Sequence, residues 1–513
     1  MLTRLKVNGF KNLQDVDVRF GPFTCVAGPN GVGKSNLFDA IHFLSLLADK
    51  TFVEAAAAVR GVEGRMGDVA TLFRNDGGEL AEEMSFEAEM IIPERGTDEL
   101  GAPAEASHTF LVYTLRLRRR SDPSHHAGPL ELTKEEMRYV LLSEARDRLG
   151  FEHTPAWRRS VVKGRRTTPY IHTENPPEVP VGLVPIEAEF TSGIPGDAGT
   201  GLQTTPSRQT HIKIHADTKN GGGGSRTVLA TTMPRTALST AHIASEYRTL
   251  VLARKEMMGW TQFQLEPSAL RAPDPFSAPR GVAHNGAHLP ATLRALAFER
   301  TRGGTVTQED VYSEVANRLS ELFEDVKALT VEEDPTRELY SIVLQDMRGG
   351  RHRASALSDG TLRFLALTIL EASAQGPSLL CLEEPENGIH PVRLPAMIAL
   401  VEEIAVRVDE ECGPHNPLRQ VLINTHSPSV VALVPNGSLV LAQSERISGD
   451  GQVRRRLTLR GLEGTWRHPD QTGGGAPATS LIAYGKPQAK SPSRHRVRDR
   501  EDVHQLGIDF NVD

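Results

Sequence analysis

The sequence predicts an α/β fold in which a mixed sheet is assembled from both ends of the chain and carries an inserted α+β subdomain. Three observations lead there. Near the start, the apolar run Phe23-Thr24-Cys25-Val26-Ala27 meets a glycine-rich loop, and the apolar spacing then becomes helical at Leu37, Ile41, Leu44 and Leu47. From Leu357 the chain reads helix, buried strand (378–382), helix, buried strand (420–424), the alternation of a parallel α/β layer. Between these ends, residues 118–235 are broken by Pro- and Gly-rich pieces such as SDPSHHAGP and ENPPEVPVGLVP, with short strand-like runs such as 211–215 among them.

Taken in order, Leu5 and Val7, then Val16, Val18 and Phe20, alternate with period two and give the opening strands. Segments 84–92 and 110–117 alternate in the same way and read as antiparallel strands. Helical spacing returns at 239–257, 289–300 and 308–323, followed by two strand-like runs at 329–332 and 339–345. The expected division is a first lobe (1–117), an inserted subdomain (118–235), a helical and strand connection (236–356), a second lobe (357–472) and a basic tail (473–513) carrying Lys486, Lys490, Arg494, Arg496, Arg498 and Arg500. No fixed-period repeat or sustained heptad occurs, so no long coiled coil is expected.

Composition limits the function classes. With 513 residues the chain is long enough for about three domains, or for one large core with insertions. Its 58 Lys plus Arg against 65 Asp plus Glu leave a net charge of −7, which excludes a wholly basic nucleic-acid coat and confines any such affinity to local patches. Cys25, Cys381 and Cys412 are too few and too scattered for a disulfide framework or a zinc site. The first residues lack the apolar run of a signal peptide, and no stretch reaches 18 apolar residues, so a cytoplasmic protein with no membrane partner is expected.

The chemistry concentrates in four motifs. Gly28-Pro29-Asn30-Gly31-Val32-Gly33-Lys34-Ser35, followed by Asn36, fits G-x-x-x-x-G-K-[ST] in full, between a buried strand and a helix. Its glycines let backbone N–H groups converge on phosphate oxygens, Lys34 would reach the β- and γ-phosphates, and Ser35 would offer its hydroxyl to Mg2+. These features predict binding of ATP with Mg2+. Second, the strand 378–382 ends in Glu383-Glu384-Pro385-Glu386-Asn387, which places carboxylates at the ligand-facing edge of an α/β sheet. Glu383 would hold the metal shell, and Glu384 would orient or deprotonate the attacking water. Third, the strand 420–424 leads to His426, placed to sense the γ-phosphate. Fourth, Ser358-Asp359-Gly360 is a polar turn opening a helix, which reads either as an anion site or simply as an N-cap.

GPNGVGKSN, LSDGTLR, LLCLEEPENGIHP and INTHSP, in this order, resemble the ATPase domain of the ABC superfamily, specifically the SMC-like branch of AAA-domain proteins. The resemblance covers the two ends of the chain and implies an ABC-type P-loop ATPase head. In such heads two ATPs are sandwiched between two copies, so Ser358, Asp359 and Gly360 would contact the γ-phosphate held by the other copy's Lys34. The opening NGFKNL resembles the family's first motif, which gives Lys11 and Asn12 a nucleotide contact. Two departures stand out. Glu383 occupies a position where many ABC proteins have Asp, and no glutamine occurs between Gln14 and Gln203 to supply the loop contact to metal and water. Asn75 or Asp76 would have to substitute, or the contact is missing.

The resemblance implies a dimer that hydrolyses ATP and drives conformational change in a partner, in DNA maintenance or anti-phage defence, with a separately encoded nuclease or toxin as effector. A non-hydrolysing, ATP-dependent scaffold or nucleotide sensor is the alternative that the absent glutamine suggests, and a transporter ATPase fits less well. Relatives of the overcoming-lysogenization-defect type carry a TOPRIM nuclease. The stretch after His426 has no strand-plus-Glu followed by a D-x-D pair, so no nuclease is expected here. Arg116, Arg118, Arg119 and Arg120, and Arg158, Arg159, Lys163, Arg165 and Arg166, would suit DNA or RNA phosphates, but charge runs are more often solvated surface and Glu131, Glu135, Glu136 and Glu152 lie nearby. His125-His126 lacks a matching ligand pair for a metal.

Overall fold

The computed structural model describes residues 1–59, 69–76, 79–120, 122, 125, 127–164, 168–174, 209–218, 224–302, 304, 306–373, 376–449, 452–468, 475–477 and 480. The basic tail from 481 onward, and Arg165, Arg166 and His126, lie outside them.

A six-stranded sheet organises the molecule. Its order is Trp260–Phe263, Leu379–Glu383, Gln420–Thr425, Phe23–Ala27, Leu439–Gly449 and Gln452–Gly461. The first five run parallel and the last pairs antiparallel at the edge. Both faces are covered, which is why the central strands are continuous apolar runs rather than alternating ones. The period-two alternation still sorts their side chains. Val26, Leu379, Cys381, Leu422 and Val440 enter one hydrophobic layer, while Cys25, Ala27, Leu380, Leu382, Val421, Ile423, Leu439 and Leu441 enter the other.

The first layer is filled by the helix Lys34–Leu47, whose Phe38, Ala40 and Phe43 are buried along with the predicted Leu37, Ile41, Leu44 and Leu47. It is buried on more than one side because a second sheet lies beyond it. That sheet has eight strands in the order Ser225–Leu229, His211–His215, Ile171–Glu174, Leu130–Tyr139, Phe110–Arg119, Glu83–Ile91, Leu2–Asn8 and Val16–Arg19. The described strands of 118–235 therefore continue the sheet of the first lobe, through the antiparallel pairing of Leu130–Tyr139 with Phe110–Arg119. The second layer holds the helices Leu289–Thr301, Gln308–Ser320, Asp359–Ala372 and Leu394–Ile404.

The two chain ends are tied by side chains as well as by pairing. The buried Gln420 amide accepts from the Leu2 N–H at 2.8 Å and donates to the carbonyls of Leu2 at 2.7 Å and Gly21 at 2.8 Å. All three cysteines are free thiols. Among the described residues, no helix is long and apolar enough to cross a membrane.

Candidate functional site

The registers of the six-stranded sheet assemble the site. Ala27 stands opposite Thr425, and Asn424 opposite Glu383, so the phosphate loop, the acidic turn and His426 leave the sheet at one edge. Three motifs far apart in sequence thus converge at the crevice where open α/β sheets bind ligands.

In the phosphate loop, Gly33 has φ +104°, and a Cβ there would lie 2.0 Å from the Asn12 side-chain nitrogen. Only glycine fits. Asn12 braces the loop by donating to the Val32 carbonyl at 3.0 Å and accepting from the Asn36 amide at 2.8 Å. Lys11 bonds Asp39 of the following helix at 2.7 Å. Lys11 and Asn12 therefore reach the loop and its helix directly. Among the described residues no side chain caps the helix that Lys34 opens, which leaves its N-terminus open to an anion apart from the Asn36 N–H, which bonds the Gly33 carbonyl at 3.0 Å. Burial pulls the Lys34 ammonium below its ordinary pKa, against the opposing fields of Glu384, Glu386 and Glu383, and Nζ donates to the carbonyls of Gly28 at 2.7 Å and Pro29 at 2.9 Å.

Beside the loop, the Ser35 hydroxyl donates to Glu383 Oε2 at 3.3 Å. The other oxygen, Oε1, accepts from Gln262 Nε2 at 2.6 Å. The Ser35 hydroxyl and the Glu383 carboxylate are hard oxygen donors, which fit Mg2+ better than a soft metal, while the Gln262 amide turns its nitrogen to the carboxylate and orients it. Gln262 is the residue that sequence reasoning missed. It lies beyond the glutamine-free stretch between Gln14 and Gln203, on the edge strand that pairs in parallel with 379–382. The signal available was the pair of glutamines in Trp-Thr-Gln-Phe-Gln, a short strand just after a helix.

Glu384 has φ +44°, a left-handed conformation uncommon for a residue with a side chain. Its backbone N–H bonds the Asn424 side chain at 2.9 Å. Its carboxylate meets His426 Nδ1 at 2.8 Å and the Asn387 amide at 2.9 Å. Burial alone would raise the Glu384 pKa, but hydrogen bonds from Asn387 and His426 hold it below the ordinary range. Glu384 is thus an ionised acceptor held in one orientation. Next to it, burial pushes the Glu386 carboxyl up, even though Thr425 is hydrogen-bonded to it.

The fourth motif is built differently. Ser358 caps its helix, accepting from the Thr361 N–H at 3.2 Å and sharing a 2.8 Å bond with the Thr361 hydroxyl. Asp359 is ion-paired with Arg271. Gly360 packs so closely on the turn after Glu384 that a Cβ would sit 3.0 Å from the Gly388 carbonyl. The predicted arginine patch is partly compensated, since Arg116 and Arg118 lie 3.7 and 4.0 Å from Glu83.

This fold and edge geometry define a P-loop protein of ABC type. The family model described as "AAA domain, putative AbiEii toxin, Type IV TA system" matches residues 248–432, and the model described as "RecF/RecN/SMC N terminal domain" matches residues 1–90, which supports the SMC-like AAA-domain reading of the motifs. Among curated proteins it is similar to a DNA replication and repair protein RecF of Porphyromonas gingivalis, 36% identical over 80 residues, covering 15% of this chain and 22% of that protein. It is also similar to an OLD nuclease of Thermus scotoductus, 49% identical over 44 residues, covering 9% of this chain and 8% of that protein. The match thus spans about a fifth of the RecF relative's length, 22%. Solved structures of similar shape include an SMC head bound to the C-winged helix domain of ScpA, with TM-score 0.41, 12% identity, and 89% of this chain and 97% of that chain covered. Another is the SMC head domain from Thermotoga maritima, with TM-score 0.35, 12% identity, and coverage of 90% and 99%.

Proposed function

We propose that the chain is a Mg2+-dependent ATPase head that dimerises around two ATPs and opens after hydrolysis, changing the conformation of a bound partner. The observation that carries the reading is the single sheet edge at which Lys34, Ser35, Glu383, Gln262, Glu384 and His426 meet. Lys34 and the uncapped helix start receive the phosphates, while Asn12 keeps the loop in shape. Ser35 and Glu383 would hold Mg2+, and Gln262 fixes the Glu383 carboxylate. A bound metal would supply screening of the phosphate charge. Glu384 accepts the proton of the attacking water at its carboxylate, and His426 Nδ1 keeps that carboxylate aimed. Ser358, Asp359 and Gly360 of a second copy complete the site across the dimer.

Gln262 supports the hydrolytic reading over a scaffold that only binds ATP, because it sets a glutamine amide beside the Glu383 carboxylate. DNA maintenance is the setting proposed from the RecF relatives. Anti-phage defence with a separate nuclease or toxin effector is a second setting, drawn from the OLD nuclease relative and the toxin description of the AAA model. The test is Glu384→Gln. ATP binding persists, turnover falls by about 10^2-fold or more, and the protein accumulates as an ATP-bound dimer. Turnover at the parent rate refutes the assignment.

A further inference from the structure

The turn that meets the second copy's triphosphate carries a carboxylate, Asp359, and a carboxylate facing a phosphate repels it. The structure supplies a cation at that point. Arg271 ends the short helix Pro267–Arg271, and its guanidinium is ion-paired through Nη2 with Asp359 Oδ1. Nη2 also donates to the Leu357 carbonyl, and Nη1 to the Pro267 carbonyl, each at 3.1 Å. Arg271 and Asp359 are 30% and 45% exposed, so the pair lies within reach of an incoming group rather than sealed in the core. A guanidinium has five N–H donors, so these acceptors leave donors for a phosphate oxygen. Asp359 meanwhile fixes the plane of the fork, the geometry that suits phosphate.

Ser358 cannot supply this charge, and its hydroxyl is engaged with Thr361. Arg363, the other arginine near the turn, is half-buried, with no hydrogen-bond partner for its Nε among the described residues and its charge opposed by burial. Arg271 is the more accessible cation.

We infer that Arg271 is a phosphate-recognising residue of the composite site, held by Asp359 so that it meets the γ-phosphate of the nucleotide bound in a second copy. This rests on the head-dimer reading above. Sequence gives no hint of it, because Arg271 belongs to none of the four motifs and reaches the turn only through the packing of its helix.

The experiment measures ATP-dependent dimerisation by sedimentation in the Glu384→Gln background, with ATP binding to the monomer followed separately by a fluorescent ATP analogue. Adding Arg271→Ala leaves analogue binding as it was and weakens dimerisation by about 10-fold or more, the scale of one lost charge-assisted contact. Arg271→Lys, which keeps the charge without the fork, recovers part of that loss. Asp359→Asn keeps an acceptor for Arg271 while removing the charge that opposes the phosphate, so it does not weaken dimerisation as Arg271→Ala does. Equal dimerisation with and without Arg271→Ala overturns the inference. It is likewise overturned if Arg271→Ala and Asp359→Asn weaken dimerisation alike and lower the melting temperature together, because the pair is then only a structural tie. If the Glu384→Gln parent fails to dimerise with ATP, the head-dimer reading itself is wrong and the inference falls with it.

Discussion

Gln262 and Glu383 meet at 2.6 Å across two parallel strands, and the bond leaves Glu383 with one oxygen toward the amide and the other toward the Ser35 hydroxyl. A carboxylate so held is oriented before a metal arrives, and partners of this kind tune metal affinity by holding a ligand still.

Gln262→Ala therefore raises the Mg2+ concentration needed for half-maximal turnover by about 10-fold or more. Metal-free nucleotide binding stays close to the parent, since Lys34 and the loop are untouched. Superimposable Mg2+ titrations of variant and parent would remove Gln262 from the site.

His426→Ala deletes a hydrogen bond that keeps the Glu384 carboxyl below its ordinary pKa. The active form is the ionised base, so turnover is lost as pH falls through that pKa, and the acid limb of the pH–rate profile moves to higher pH in the variant. Turnover at neutral pH falls by about 10^2-fold. An acid limb that stays in place shows that His426 does not act through Glu384.

Gly33→Ala forces a methyl group into the Asn12 side chain at a backbone angle that L-residues rarely adopt. The loop reshapes, and nucleotide binding measured by calorimetry disappears while the fold persists. Because Asn12 is the group displaced, adding Asn12→Ala recovers part of the binding. No recovery assigns the whole defect to the backbone angle.

Glu135 reports on stability instead of chemistry. It is buried, accepting from the Ala237 N–H at 2.6 Å, the Leu238 N–H at 2.9 Å and the Tyr113 hydroxyl at 3.1 Å, and burial pushes its carboxyl from 4.5 up to about 7. Between these values the folded chain binds more protons than the unfolded one, so this residue's contribution to stability falls as pH rises from 4.5 to about 7. Glu135→Gln loses an acceptor and is less stable at acid pH, but it lacks that titration. The gap in melting temperature between parent and variant consequently narrows across the window. A constant gap means that Glu135 does not titrate there.

Much of the site was readable from sequence because its groups sit in short local motifs. The loop 28–35, the carboxylates after 378–382 and His426 after 420–424 each follow an apolar strand, and strand ends of a parallel layer face one edge whatever the connections between them. Gln262 and Arg271 were not readable. Each gains its role from a contact with a segment distant in sequence, through strand pairing for the first and helix packing for the second. The eight-stranded sheet was hidden for a similar reason. Short alternating strands such as His211–His215 look the same whether they found a new sheet or extend an old one, and only the pairing chain back to Phe110–Arg119 distinguishes the cases.

The position of Phe23–Ala27 between Gln420–Thr425 and Leu439–Gly449 sets an order on biosynthesis. This apolar strand is made about 400 residues before either of its neighbours. Loop closure over such a span makes folding slow, and until it happens the strand's hydrogen-bonding groups have no neighbour. An interrupted chain therefore presents an unpaired apolar strand and no assembled nucleotide edge, a species prone to associate with others like it. The nucleotide edge therefore forms only after the strands 420–425 and 439–449 have been made.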